Sequence, residues 1–242
     1  MKQPERWLFV SDVDDTLLGD DSGLVALAEA LQTASESLIT AYNSSRPCAS
    51  LRTTLTETRH LPVPDYLIGA LGTEIQEGAS GNWIADYPQH LNDGWQRDLI
   101  CEMVEPFQLA AHPAEFQTPF KVSYDVPDEA VYQRVRGRLE ASGIPARTIF
   151  SGGRHLDIIP ASGGKGNVIR YLAEKVGVQP ERVIVAGDSG NDVDMFVAPF
   201  KGIVVANADS ALKGLAGEHI YHAQFSHARG VLEGLHFWGA LP

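Results

Sequence analysis

The sequence predicts an α/β protein: a doubly wound, mostly parallel sheet with a smaller α+β module inserted into it. Three observations predict it. Short apolar runs alternate with helical stripes in the first and last thirds of the chain. The middle third switches to apolar–polar alternation. Acidic and glycine-rich turns directly follow the apolar runs, where a parallel sheet presents its ligand-binding ends.

WLFVS (7–11) is a continuous apolar run, as in a strand buried on both faces. Leu24, Leu27, Ala28 and Leu31 then fall on one face of a helix. LITAY (38–42) is a second buried strand, 48–59 a helix, and DYLIGA (65–70) a third strand after the Pro62–Pro64 breaker. In the last third, Val168, Ile169, Leu172, Ala173 and Val176 mark a helix over 165–177. RVIVAG (182–187) and GIVVAN (202–207) read as further buried strands, and Ala211, Leu212 and Leu215 as a short helix.

The middle, residues 81–159, is the expected insertion, leaving 1–80 and 160–242 as the core. FKVSYD (120–125) alternates like a half-exposed antiparallel strand. RTIFS (147–151) and HLDII (155–159) flank Gly152–Gly153, a hairpin signal. Helical stripes are expected at Trp95, Leu99 and Met103, and at Val131, Tyr132, Val135 and Leu139.

Composition sets limits. The chain has 242 residues, 44% hydrophobic and 21% charged, with a net charge of −12, so nucleic acid and anionic membranes are poor partners. Cys48 and Cys101 give neither a disulfide framework nor metal-ligand spacing. WLFV is too short for a signal-peptide core, and no run approaches a membrane span of about 20 residues. A cytoplasmic protein is expected.

SDVDDTL (11–17) places three aspartates at the end of the first strand. A helix cap with a solvated turn explains one of them, not three. Asp12 and Asp14, two apart on an extended chain, can share a face and favour a hard cation with oxygen ligands, Mg²⁺ above all. GDSGND (187–192) repeats the pattern with Asp188, Asn191 and Asp192 after another strand. Lys165 stands at a helix start, where the dipole disfavours a cation and calls for an anion. Gly163, Gly164 and Gly166 would let backbone approach a phosphate, and Ser44, Ser45 and Arg46 in NSSR (43–46) offer two hydroxyls and a guanidinium.

DVDDT, a serine after the second strand, a downstream lysine and GDSGND occur in the order of the four motifs of haloacid dehalogenase-like phosphatases, which the chain resembles over its whole length. The insertion after the third strand is similar to their C2-type cap on a Rossmann-like core. GTEI (72–75), WIADYPQHLNDGWQRDLI (83–100), FKVSY (120–124) and SGGRHLDIIPASGGKGN (151–167) resemble the sucrose-phosphate phosphatases. The resemblance implies Asp12 as nucleophile forming an aspartyl-phosphate and Asp14 as general acid/base. It also implies Ser44 and Lys165 as phosphate-binding and charge-stabilising groups, and Asp188 and Asp192 as metal carboxylates with Asn191 beside them. Metal ligation is expected of Asp12, Asp14, Asp188 and Asp192.

Two departures stand out. Ser44-Ser45-Arg46 replaces the family's Thr-Gly-Arg, and Asp15 stands where relatives carry Asn or Gly. The cap selects the sugar, with Glu74 and Lys121 as preferred contacts, Asp86 and Asp157 as further polar candidates, and Trp83, Tyr87 and Trp95 as possible stacking surfaces. Crossings near 81 and 159 are the expected hinges.

The expected reaction is Mg²⁺-dependent hydrolysis of a sugar phosphate, sucrose 6-phosphate first, by a monomer. Mannosylfructose phosphate is the close alternative. A phosphosugar mutase would need a second phosphate site with an arginine cluster facing the core; Arg134, Arg136 and Arg138 are clustered but read as a solvated helix face. A non-catalytic subunit docking on a sugar-phosphate synthase is the third alternative.

Overall fold

The computed structural model describes residues 6–242; residues 1–5 of the expected core stretch lie outside it. The chain runs β1 (Trp7–Ser11), α1 (Asp21–Thr33), β2 (Leu38–Asn43), α2 (Cys48–Glu57), β3 (Tyr66–Gly69) and β4 (Glu74–Glu77). The insertion follows as α3 (Tyr87–Leu91), α4 (Arg97–Val104), β5 (Ala110–Ala111), β6 (Val122–Asp125), α5 (Glu129–Ser142), β7 (Ala146–Ser151) and β8 (His155–Pro160). The chain returns through α6 (Lys165–Val176), β9 (Val183–Gly187), β10 (Lys201–Val204), α7 (Ser210–Lys213), β11 (Ile220–His222) and α8 (His227–Phe237).

The larger sheet has the order β11-β10-β9-β1-β2-β3-β4, parallel throughout except for β4, which pairs antiparallel with β3. Leu8, Phe9 and Val10 of β1 are fully buried, as a strand with helices on both faces requires. Asp20 caps α1 by accepting the Gly23 N–H at 3.1 Å, and Leu24, Leu27 and Leu31 form its buried stripe. The smaller sheet, β5-β6-β8-β7, is antiparallel and has its own apolar cluster around Ile100, Val104, Val122, Val135, Leu156 and Ile158. β7 and β8 form the expected hairpin, with Gly152 and Gly153 both at positive φ in its turn.

Packing departs from the expected boundary at residue 81. Ile84, Tyr87 and Leu91 belong to the apolar core of the larger sheet. The Tyr87 hydroxyl donates to the Gly72 carbonyl, and its ring leans on Tyr171 of α6 at 4.7 Å. The α4 stripe is met in part: Trp95, just before the helix, and Met103 pack partly buried against the smaller sheet's cluster, but Leu99 is exposed and the buried positions are Ile100 and Val104. Alternation in a run as mixed as RDLICEMV does not fix which of two adjacent faces packs inward. Arg134, Arg136 and Arg138 are exposed on α5, with Arg136 paired to Glu140, as a solvated helix face.

The two layers meet through polar bridges. Arg147 of β7 donates to the Gly163 carbonyl at 3.1 Å and to Asp194 at 3.2 Å. Lys121, just before β6, reaches the Ser45 carbonyl at 3.3 Å.

Candidate active site

β1 pairs in parallel with β9, with Ser11 opposite Ala186, so the turns leaving the two strands emerge side by side. The Asp12 N–H extends this pairing, donating to the Ala186 carbonyl at 3.0 Å. The first residue of α6 is brought under both turns. Lys165, 1% exposed, donates through Nζ to Asp12 Oδ1 at 2.6 Å, Asp192 Oδ1 at 2.6 Å and Asn191 Oδ1 at 3.1 Å. The anion demanded by a lysine at a helix start is therefore supplied by the chain itself.

Asp192 is wholly buried, with both oxygens hydrogen-bonded. Its other oxygen accepts the N–H groups of Asp188 and Ser189 at 3.1 and 3.2 Å, closing a capping box with Ser189 over the 3₁₀ turn Gly190–Met195. Gly187 makes this possible: a Cβ there would stand 2.7 Å from the Asp192 Cβ. Gly166 has a similar duty, since a Cβ would fall 2.0 Å from the Asp194 carbonyl. That glycine serves packing of α6 on the acidic turn, not approach of backbone to a phosphate.

Carboxylate oxygens of Asp12, Asp188 and Asp192 lie within 4.8 Å of one another. Burial pushes the Asp12 carboxyl up to about 8, against the pull of Lys165 and with the charge of Asp192 adding to the rise. Burial, then Asp192, raises Asp188 to about 6, while a 3.1 Å hydrogen bond from Thr16 opposes the shift. Burial would depress Lys165, but Asp12 and Asp192 outweigh it and hold the ammonium above its ordinary value. Crowded, partly desolvated carboxylates gain from a hard divalent cation, and all-oxygen donors are what Mg²⁺ takes. Asp12 and Asp188 each have an oxygen left for it, and Asp192 Oδ1, which accepts one hydrogen bond from Lys165, keeps a second lone pair.

Asp14 is not in this cluster. The chain enters a turn at Asp14, with Val13 accepting the N–H groups of Leu17 and Leu18, so the extended geometry that would align Asp12 and Asp14 is absent. The Asp14 carboxylate faces Arg46 instead: Nη2 donates to Oδ1 at 3.0 Å and Nε lies 2.8 Å from Oδ2. Arg46 is steadied by Thr54 at 2.8 Å and Ser50 at 3.3 Å on α2. Ser44 is buried after β2, its Oγ accepting the Arg46 N–H at 3.2 Å. Asp15 adopts φ 57°, a left-handed conformation that Gly, Asn and Asp tolerate best. Its carbonyl accepts from Asn207 at 2.7 Å and lies 2.9 Å from His227 Nδ1.

Above the strand ends lies a cleft of about 480 Å³ between the two layers. Ser45, Arg46 and Asn191 line it from the larger layer, and Lys121, Asp157 and Phe116 are among the groups facing them from the smaller one. Lys121, 3% exposed, pairs with Asp157 at 3.2 Å, and Ser123 donates to the same carboxylate.

Other expected contacts lie elsewhere. Glu74 begins β4 and accepts the Cys48 N–H at 2.8 Å, capping α2, a helix whose own N-cap, Pro47, makes no side-chain cap bond. Asp86 pairs with Lys175 of α6 at 2.9 Å. Tyr87 is core, Trp83 is exposed away from the cleft, and Trp95 donates to the Pro119 carbonyl at 2.9 Å. The cleft's polar wall extends beyond the residues that the sequence points to: His112, Asp125, Arg154 and His155 also line it. A signal existed. In HLDII, His155 and Asp157 are two apart on a strand, and β6 sets Asp125 and Ser123 opposite them in register.

The family model for sucrose-6F-phosphate phosphohydrolase matches residues 5–239. The chain belongs to that family. The sucrose-phosphatase of Synechocystis, solved in complex with sucrose and phosphate, is 31% identical, with a TM-score of 0.90, over 97% of this chain and 98% of that one. Sucrose-phosphatase 1 of Nicotiana tabacum is 32% identical over 96% of this chain, which spans 59% of that relative's length. Mannosylfructose-phosphate phosphatase of Agrobacterium fabrum is 29% identical over 97% of this chain and 98% of the relative. A haloacid dehalogenase-like hydrolase of Bacteroides thetaiotaomicron, 17% identical with a TM-score of 0.70, shares the fold. Sucrose-6F-phosphate phosphohydrolases are sugar-phosphate phosphatases of the haloacid dehalogenase-like fold, and the acidic cluster under the cleft is the part of this chain that suits Mg²⁺, the metal such phosphatases generally use.

Proposed function

We propose that the chain hydrolyses sucrose 6-phosphate to sucrose and phosphate, with Asp12 as nucleophile. The observation carrying this reading is the Lys165 ammonium 2.6 Å from Asp12, beside Asp188, under a cleft lined by Ser45, Arg46 and Asn191. Lys165 aims one Asp12 oxygen and offsets negative charge that would otherwise repel a phosphate dianion. Asp12 attacks phosphorus while Asp14 hands a proton to the departing sugar oxygen. Asp14 then takes a proton from the water that opens the aspartyl-phosphate, so one difficult displacement becomes two easier ones. Ser44, Ser45 and Arg46 are the phosphate-side groups. Mg²⁺, held by Asp12 and Asp188, would supply further charge neutralisation on the transferring phosphoryl group.

We place the sugar against Lys121 and Asp157, which together offer a donor and an acceptor. The cleft volume suits a small ligand of disaccharide size. We place the cap at about residues 92–160, since α3 packs with the core. Its opening and closing would admit substrate and exclude water.

The test is phosphate release from sucrose 6-phosphate, mannosylfructose phosphate and hexose monophosphates, with and without Mg²⁺, using Asp12→Asn as control. Mg²⁺-dependent release strongest for sucrose 6-phosphate and absent in the variant is the expected result. Preference for mannosylfructose phosphate would keep the chemistry and replace the substrate.

A further inference from the structure

We propose that the cap carries a second cation site, made by His112, Asp125 and His155, which takes a borderline divalent cation such as Zn²⁺. Three donor atoms converge there. His112 Nε2 and Asp125 Oδ1 are 3.3 Å apart, His155 Nδ1 and Asp125 Oδ1 are 3.3 Å apart, and the two ring nitrogens are 3.3 Å apart. An equilateral face of this size is what tetrahedral Zn²⁺ requires: bonds of ~2.0–2.1 Å at tetrahedral angles put ligand atoms roughly 3.3 Å from one another. The imidazole planes stand at 82°, with centroids 5.2 Å apart, so the rings meet edge to face and do not stack.

The backbone holds this arrangement without help from a ligand. Asp125 and His155 are a cross-strand pair of β6 and β8. His112 follows β5 and is pinned on both sides, its N–H donating to the Ser123 carbonyl at 2.9 Å and its carbonyl accepting from Gln117 at 3.1 Å. Arg154 donates to both oxygens of Asp125 at 3.1 Å. That contact orients the carboxylate as outer partners of metal ligands do, while its positive charge tempers affinity. Two imidazoles and one carboxylate form a set chosen by Zn²⁺ and its neighbours over Mg²⁺, which prefers oxygen alone. This distinguishes the site from the Asp12–Asp188 cluster.

All three residues line the cleft, so the fourth coordination position faces the space assigned to the sugar. A cation there competes with the substrate or binds one of its hydroxyls, and Zn²⁺ becomes a modulator of a Mg²⁺-dependent reaction.

Co²⁺ is the probe, titrated into the full chain with Mg²⁺ in excess to keep the acidic cluster filled. The expected result is one equivalent of Co²⁺ with the intense visible absorption of tetrahedral coordination, displaced by Zn²⁺. His155→Ala, at the exposed start of β8, and Asp125→Asn, which keeps the side chain's shape, should each weaken binding by at least ~10–100-fold. Asp188→Asn should leave the band in place. The proposal is overturned if no tetrahedral band forms, if the band survives both cap substitutions, or if it disappears with Asp188→Asn instead.

Discussion

Lys165 Nζ and Asp12 Oδ1 lie 2.6 Å apart in a site almost sealed from water, and Asp192 grips the same ammonium at 2.6 Å. Removing the lysine would leave two carboxylates buried without a counter-charge. Lys165→Met should therefore lower stability by about 3–5 kcal/mol at neutral pH and reduce kcat by at least ~10²-fold. Asp12, whose carboxyl burial holds high, takes up a proton on acidification and relieves the repulsion, so the stability deficit should shrink. Chemical denaturation of both proteins across pH measures this; a pH-independent deficit would contradict the pairing.

Asp12→Asn removes the proposed nucleophile while keeping an oxygen near Lys165. Turnover of any sugar phosphate should fall by at least ~10³-fold, as when a residue acting covalently is removed. Substrate binding should survive, measured by calorimetry with sucrose 6-phosphate. Retained turnover would move the nucleophilic role elsewhere.

Arg46 occupies both oxygens of Asp14, so Asp14 reaches a leaving group only after that contact opens. Substrate phosphate is the group proposed to draw the guanidinium away. Arg46→Lys keeps the charge but not the planar fork. A charge-assisted hydrogen bond is worth ~1.5–3 kcal/mol, so kcat/KM should fall roughly 10–100-fold. Steady-state kinetics in which only kcat changed, with KM unmoved, would place Arg46 outside phosphate binding.

Much of this geometry was legible in the sequence because it follows from strand ends. WLFVS and RVIVAG read as buried strands, and each is followed by an acidic turn; parallel pairing of β1 with β9 then brings Asp12 and Asp188 together. What was not legible depends on tertiary partners. Asp14 reads as a metal ligand only if the spacing stays extended, and the turn that begins there aims its carboxylate at Arg46 instead. Glu74 looked like a sugar contact because nothing local reveals that β4 folds back antiparallel beside β3 and points a carboxylate at the start of α2. The converging His112, Asp125 and His155 come from three strands or strand ends, far apart in sequence.

Glu74 supplies a direct check on that distinction. Pro47 offers no side-chain acceptor at the start of α2, and Glu74 accepts the Cys48 N–H in its place. Glu74→Ala should cost ~0.5–2 kcal/mol, as loss of a helix cap does. It should leave the relative kcat/KM values for the sugar phosphates unchanged. A shift in sugar preference at unchanged stability would return Glu74 to the binding site.

The acidic cluster couples cation binding to protons. Burial raises Asp12 to about 8 and Asp188 to about 6, both above the ordinary 3.8 of a free aspartate. A carboxyl raised in the folded state contributes stability that is present at low pH and lost as pH climbs through its folded value. The cation-free protein should therefore lose this contribution between about pH 4 and 8. Mg²⁺ needs the ionised oxygens, so its apparent affinity should rise over pH 6–8 and its binding should release protons. Thermal unfolding with and without Mg²⁺ would then show a stabilisation that grows with pH. Titration calorimetry in buffers of differing ionisation enthalpy counts the protons released. Mg²⁺ affinity that stays flat across this range would mean that the carboxylates beside Lys165 are not the ligands.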